Sequence, residues 1–141
     1  MDNEVIKRLI EYALSARKNS YAPYSRFRVG AALLASDGRI FTGVNVENAS
    51  YPAGLCAERA AVAKAVSEGA PDFLAIAVAG GYEDDVPGGF CAPCGICRQV
   101  LTEHCSGDFP VILARTTDDF RTYKLSDLLP LAFDLVSGAF K

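Results

Sequence analysis

Four residues of this chain have types and spacing suited to chemistry: Cys56, Glu58, Cys94 and Cys97. Three cysteine thiolates can hold one tetrahedral Zn²⁺ and leave its fourth position for water, as a catalytic zinc requires. Glu58, two residues after Cys56, would then stand over that water as a proton-transfer group rather than bind the metal. The expected cofactor is one zinc ion per chain.

Both cysteine segments fall at predicted helix N-termini, where the helix dipole and unpaired N–H groups favour thiolate charge. In Pro93-Cys94-Gly95-Ile96-Cys97 the two cysteines lie three apart and share a helix face. Other readings stay open at this point. A lone C-x-x-C also suits a redox pair or two buried thiols. Cys91, Cys94 and Cys97 suggest an iron–sulfur run, but the further cysteine it needs would be at Leu101. A closed four-cysteine zinc would recruit Cys91 or Cys105 and leave Glu58 without a task. His104, the sole histidine, reads as a dipole partner at a helix C-terminus.

Three thiolates on Zn²⁺ leave net negative charge, which weakens the metal's ability to acidify water. Compensation has to come from the protein. Arg59, next to Glu58, is the first source of positive charge and Arg98 the second; either can equally be a solvated surface arginine.

The elements that must position these residues are legible as a coarse pattern. Residues 3–18 place Val5, Ile6, Leu9, Ile10, Ala13 and Leu14 on one helical stripe, with Asn3 as N-cap. Residues 27–35 predict a buried strand, and Ser36-Asp37-Gly38-Arg39 a hairpin turn into a return strand over 40–46. An alanine-rich helix follows from about Cys56 to Glu68, closed by Gly69. Phe73–Val78 predicts a short strand, 80–93 a long glycine-rich loop and 94–105 a second ligand-bearing helix. Strands over 110–114 and 120–123 and helical turns across 125–136 complete an α-β-β-α-β-α-β-β-α order. The fold class is α/β: three layers, α/β/α, with a central mixed five-stranded sheet.

With 141 residues, no linker, no repeat and no charge block, residues 1–141 form a single domain. Half the residues are apolar, so a packed core needs no disulfide staple, and five cysteines fit a disulfide framework poorly. The formal charge is −3 and the 14 basic residues are scattered, which argues against a nucleic-acid partner. No apolar run approaches a membrane span, and the acidic N-terminus has none of the features of a signal peptide. A cytoplasmic location, where thiols stay reduced, is expected.

With these residues placed, the chain resembles the small, homotetrameric cytidine deaminases. Four segments carry the resemblance: Phe27-Arg28-Val29-Gly30-Ala31-Ala32, Asn45-Val46-Glu47-Asn48-Ala49, Cys56-Ala57-Glu58-Arg59 and Pro93-Cys94-Gly95-Ile96-Cys97-Arg98-Gln99-Val100. It implies hydrolytic deamination of cytidine and 2′-deoxycytidine to uridine and 2′-deoxyuridine, releasing ammonia, within pyrimidine salvage. It implies that Cys56, Cys94 and Cys97 bind zinc and that Glu58 shuttles protons. Asn45 and Glu47 would grip the ribose 3′-hydroxyl, with Ala49 in the same substrate-binding strip. Phe27 would pack on the nucleoside, and the Ala57 N–H would hold the pyrimidine O2. Arg59 and Gln99 would partner the thiolates. Tyr51 and Phe133 would reach across to neighbouring subunits' ligands, although Phe133 in its apolar segment also suits plain core.

The spacing of Asn45 and Glu47 agrees, since residues i and i+2 of a strand face the same way. Rivals remain on the residues alone. A deaminase of another cytosine nucleoside, such as blasticidin S, suits 38–46 equally, while Glu47-Asn48-Ala49 and Arg59 favour cytidine. A non-catalytic zinc-stabilised binding protein is the alternative from a different class, and the intact Glu58 counts against it. The acidic loop 81–90 either shapes the pocket rim or sits in solvent.

Overall fold

The computed structural model, which describes residues 1–83 and 85–135, has the expected order of elements. Helix α1 spans Asn3–Ala16. Its N-cap is Asp2 rather than Asn3: the Asp2 carboxylate accepts from Glu4 N at 3.0 Å, so Asn3 is already helical. A 3-10 turn over Arg17–Asn19 carries the chain through the rest of the predicted helix.

Strands β1 (Phe27–Ala35) and β2 (Ile40–Val44) form the predicted hairpin, with Gly38 at φ 90° in its turn. β2 stops at Val44, two residues early. The Asn45 side-chain oxygen takes the Val29 N–H at 2.9 Å, where a ladder would use a backbone carbonyl. Val46 leaves β1 and instead bridges Tyr21 and Leu55.

Helix α2 (Ala57–Ser67) begins directly after Cys56 and is followed by Gly69 at φ 72°. Strand β3 (Phe73–Tyr82) runs four residues past the predicted end at Val78, pairing with β1 as far as Phe27↔Tyr82. The glycines there weaken any strand signal, but β1 supplies the template. Helix α3 (Gly95–His104), β4 (Pro110–Ala114) and β5 (Phe120–Lys124) lie where expected. Helix α4 is one turn, Leu125–Leu128, not the longer stretch to 136. Pro130 disfavours helical backbone at the residue before it, and residue 136 lies outside the described residues.

The sheet order is β2-β1-β3-β4-β5, with β3 and β4 parallel and the other neighbours antiparallel. On one face α1 packs Leu9, Ile10 and Ala13 against Ala32, Ala75, Ala77 and Ile112. Burying each such Leu or Ile contributes about 1.5–3 kcal/mol. On the other face α2 and α3 pack Ala57, Ala61, Val62 and Leu101 against Leu33, Phe41, Ile76, Val78 and Val111. The three-layer expectation therefore holds. α3 is the crossover between the parallel strands, and it lies on the same face as α2, so two helix starts can meet.

Candidate metal and catalytic site

Cys56 and Cys94 are the N-cap residues of α2 and α3, and Cys97 lies in the first turn of α3. Cys56 Sγ is 3.7 Å from Cys94 Sγ, and Cys94 Sγ is 3.3 Å from Cys97 Sγ. All three sulfurs lie within 4.8 Å of one another. With Zn–S bonds of about 2.3 Å, the edge of a tetrahedron is about 3.8 Å, so the donor set fits zinc. Among the described residues, neither Cys91 nor Cys105 belongs to this cluster. The set is therefore three thiols, which leaves the fourth position open.

The surroundings favour the thiolate form at Cys56. Cys56 is pushed down to about 5 by its contact with Cys97 and by the Arg59 guanidinium, against the effect of burial. Cys97 is pushed in the opposite direction, first by its hydrogen bond with Cys56 and then by burial and the Glu58 charge. Arg59 Nη2 donates to Cys56 Sγ at 3.4 Å, so of the two arginines expected as counter-charges it is the one that meets a ligand sulfur. Arg98 is used elsewhere: it donates to the Pro93 carbonyl at 2.7 Å and the Leu128 carbonyl at 2.6 Å. It ties α3 to α4, and its expected role as a second counter-charge is not met.

Glu58 is 4% exposed, in the first turn of α2. Burial, reinforced by the Cys56 charge, raises its carboxyl to about 7. Ala57 is fully buried, and as the first helical residue its N–H has no intrahelical acceptor. Cys91 is half-buried and stays a neutral thiol: burial first, then Glu58 and Cys56, push it up to about 11.

Asn45 and Glu47 both turn toward the 20–29 segment. The Asn45 amide donates to the Phe27 carbonyl at 2.8 Å, and its oxygen accepts from Val29 N and the Ser20 hydroxyl. Glu47 accepts from the N–H groups of Tyr24 and Ser25, each at 3.1 Å, and from the Ser25 hydroxyl. Phe27 meets Tyr82 edge to face at 5.1 Å between ring centres. Neither Ser20 nor Ser25 belongs to a motif of its own; the only mark nearby in the sequence is Pro23, which breaks the preceding helix. Glu47, Tyr24, Ser25 and Tyr51 line one open cavity of about 490 Å³.

Gln99, Ala49, Tyr51 and Phe133, all predicted site residues, lie outside the cysteine cluster. Gln99, expected on a thiolate, donates instead to the Phe133 carbonyl at 3.0 Å. Tyr51 is 86% exposed, and Phe133 is about half exposed. Ala49 is exposed on the loop before Tyr51. His104 packs its ring 5.6 Å from Phe73, away from the ligands it follows on α3.

An open thiolate site with a carboxylate beside it defines a zinc enzyme that activates water. The match is narrower than that class: residues 3–113 fit the family described as the cytidine and deoxycytidylate deaminase zinc-binding region, and the chain belongs to it. It is 50% identical over 125 residues to a cytidine deaminase of Halalkalibacterium halodurans, covering 89% of this chain and 91% of that one. A cytidine deaminase of Sporosarcina psychrophila is 46% identical over 128 residues, 91% of this chain and 90% of its own. The crystal structure of cytidine deaminase from Burkholderia pseudomallei superposes with a TM-score of 0.81 at 46% identity, over 94% of this chain and all of that one. The Mycobacterium tuberculosis cytidine deaminase gives 0.76 at 44% identity, over 91% and 96%. No helix among the described residues is long and apolar enough to cross a membrane.

Proposed function

We propose that this chain hydrolyses the exocyclic amine of cytidine and 2′-deoxycytidine, giving uridine and 2′-deoxyuridine and releasing ammonia in pyrimidine salvage. The observation that carries the reading is a buried carboxylate, Glu58, two residues from one ligand of an open three-cysteine cluster.

Zinc bound by Cys56, Cys94 and Cys97 supplies a Lewis acid that acidifies water. Glu58 takes a proton from the attacking water, delivers it to ring N3, and then moves a proton to the leaving amine at C4. Water's oxygen stays on C4 as the new carbonyl, and the amine departs as neutral ammonia. The Ala57 N–H, which has no acceptor within its helix, donates to the pyrimidine O2. Asn45 and Glu47 hold the ribose 3′-hydroxyl, and their hydrogen bonds to the 20–29 segment keep both side chains in place beforehand. A site built to bond sugar hydroxyls rejects the free base, since its buried groups would be left unpaired. Phe27 forms a wall beside the nucleoside, with its backbone pinned by Asn45. Arg59 offsets thiolate charge. Ala49 belongs to the same substrate strip. The enzyme works as a cytoplasmic homotetramer in which Tyr51 and Phe133 contact the ligands of neighbours. In this arrangement Gln99 supports Phe133 through its carbonyl.

Glu58→Gln tests the central role. The variant keeps one zinc per chain by metal analysis, while turnover, followed by loss of cytosine absorbance, falls by about 10²–10⁴-fold. A near-normal rate would remove Glu58 from the chemistry.

A further inference from the structure

Gly43 lies on β2 opposite Ala31 of β1, buried under the first turn of α2. A methyl group built on it would sit 2.3 Å from the Ala57 carbonyl oxygen, 2.4 Å from the Ala61 nitrogen and 3.0 Å from Ala60 Cβ. Ala57 and Ala61 are four apart, so those two backbone atoms face each other across the turn's own hydrogen bond. A side chain here would enter the first turn of the helix. No rotamer relieves the overlap, because the obstacle is backbone.

That turn carries the chemistry. Cys56 precedes Ala57 and Glu58 follows it, while Asn45 comes two residues after Gly43, just past the end of β2. Ordinary contact begins near 3.4 Å. A methyl at 43 would therefore lift the start of α2 from β2 by about 1 Å. The lift would act on Cys56 and Glu58 together. Cys94 and Cys97, on α3, would stay behind.

We propose that Gly43 is a positioning residue: its missing side chain sets the height of α2 over β2, and so closes Cys56 onto Cys94 and Cys97 and places Glu58 against the nucleoside-binding strand. The inference deepens the deaminase reading and rests on its assignment of Cys56 and Glu58. It separates Gly43 from Gly30, which makes a similar close approach, with a methyl 2.0 Å from the Ala13 carbonyl oxygen, but beneath α1 on the face without ligands.

The test compares Gly43→Ala with Ala65→Ser, which wedges the same helix two turns farther from Cys56, where Ala65 is fully buried. Each purified protein is loaded with cobalt for its thiolate charge-transfer absorption, and with zinc for release to a chromophoric chelator. Turnover of cytidine is measured well below the melting temperature. Gly43→Ala is expected to shift the cobalt band and to release zinc about tenfold more readily. Its kcat should fall about 100-fold, the scale of a 1 Å misplacement. Ala65→Ser should melt earlier yet keep the wild-type band and kcat. If Gly43→Ala does not fold, Ala61→Ser places a smaller wedge at the same turn from the helix side and should show the same changes in milder form. A wild-type band and kcat in the folded wedge variant would overturn the proposal, as would equal losses in Ala65→Ser. If the wild-type protein binds cobalt but does not turn over cytidine, the deaminase reading fails while a shifted band in Gly43→Ala still supports the placement of Cys56.

Discussion

Arg59 is the side chain through which the thiolate charge is felt outside the cluster. Its Nη2 donates to Cys56 Sγ, and its Nε is buried with no hydrogen-bond partner among the described residues. Replacing it with methionine keeps much of the bulk and removes the charge. Zinc should then dissociate about 10–100-fold more easily, the usual cost of losing a group that orients a ligand. Chelator competition measures this, and an unchanged zinc affinity would return Arg59 to the status of a surface arginine. Glu47 makes a different prediction. Partial burial raises its carboxyl, but the Ser25 hydroxyl and the N–H groups of Ser25 and Tyr24 outweigh it and hold the carboxyl below its ordinary 4.5. A carboxyl lowered in the folded state adds stability above its unfolded value, and that stability is lost as pH falls through the lowered one. The urea midpoint of the wild type should therefore exceed that of Glu47→Gln at neutral pH, and the gap should close below about pH 4. A gap independent of pH would mean that the ionised carboxylate is not what holds the 24–25 turn.

At the scale of elements, the hydrogen bonds of Arg17 show how a buried cation can hold a loop through backbone carbonyls. Its guanidinium donates to the carbonyls of Arg28, Glu83 and Asp85, and the residue is 6% exposed. This fixes the chain after β3 to the start of β1, the edge at which Phe27 stands. Arg17→Met would take the charged donor away from three carbonyl oxygens, and each such hydrogen bond contributes up to about 1.5–3 kcal/mol. The melting temperature should fall by several degrees, while a retained zinc content would show that the metal site does not depend on this loop. An unchanged melting temperature would mean that water replaces the guanidinium. Sequence patterning could not reveal this tie, because Arg17 reads as one more polar residue at a helix end. The same holds for the end of β3, where Ala79-Gly80-Gly81 give no alternation and only pairing with β1 makes a strand. The ligand cysteines were legible for the opposite reason. A metal demands particular donors at particular spacings, and helix starts leave marks such as Pro93. What spacing along the chain does not contain is the distance between α2 and β2, and so Gly43 looked like any glycine in a strand. Gln99 was misplaced on similar grounds: its position on α3 was clear, but the carbonyl it would meet depended on the path of residues 129–135.

At the scale of the whole molecule, large apolar side chains among the described residues stand in water. Tyr51 is 86% exposed, and Leu131 is 92% exposed with a positive φ of 55°. Such backbone costs about 1–3 kcal/mol for a residue other than glycine, and an exposed leucine recovers none of it within one chain. A neighbouring copy would cover these side chains, and the proposed tetramer would use Tyr51 and Phe133 to complete another subunit's site. Subunit complementation tests this without relying on the loss of any one variant. Glu58→Gln and Tyr51→Ala proteins are each prepared, confirmed to hold zinc, and found slow with cytidine. They are then mixed and allowed to exchange subunits, with assembly followed by sedimentation. In a mixed assembly, a Tyr51→Ala subunit keeps its own Glu58 and can receive Tyr51 from a Glu58→Gln neighbour. Activity should rise above the sum of the separate proteins as exchange proceeds, and dilution that dissociates the assembly should abolish the gain. If Tyr51 served the site of its own chain, no mixture could restore what each subunit lacks. The rate would then stay at that sum however complete the exchange.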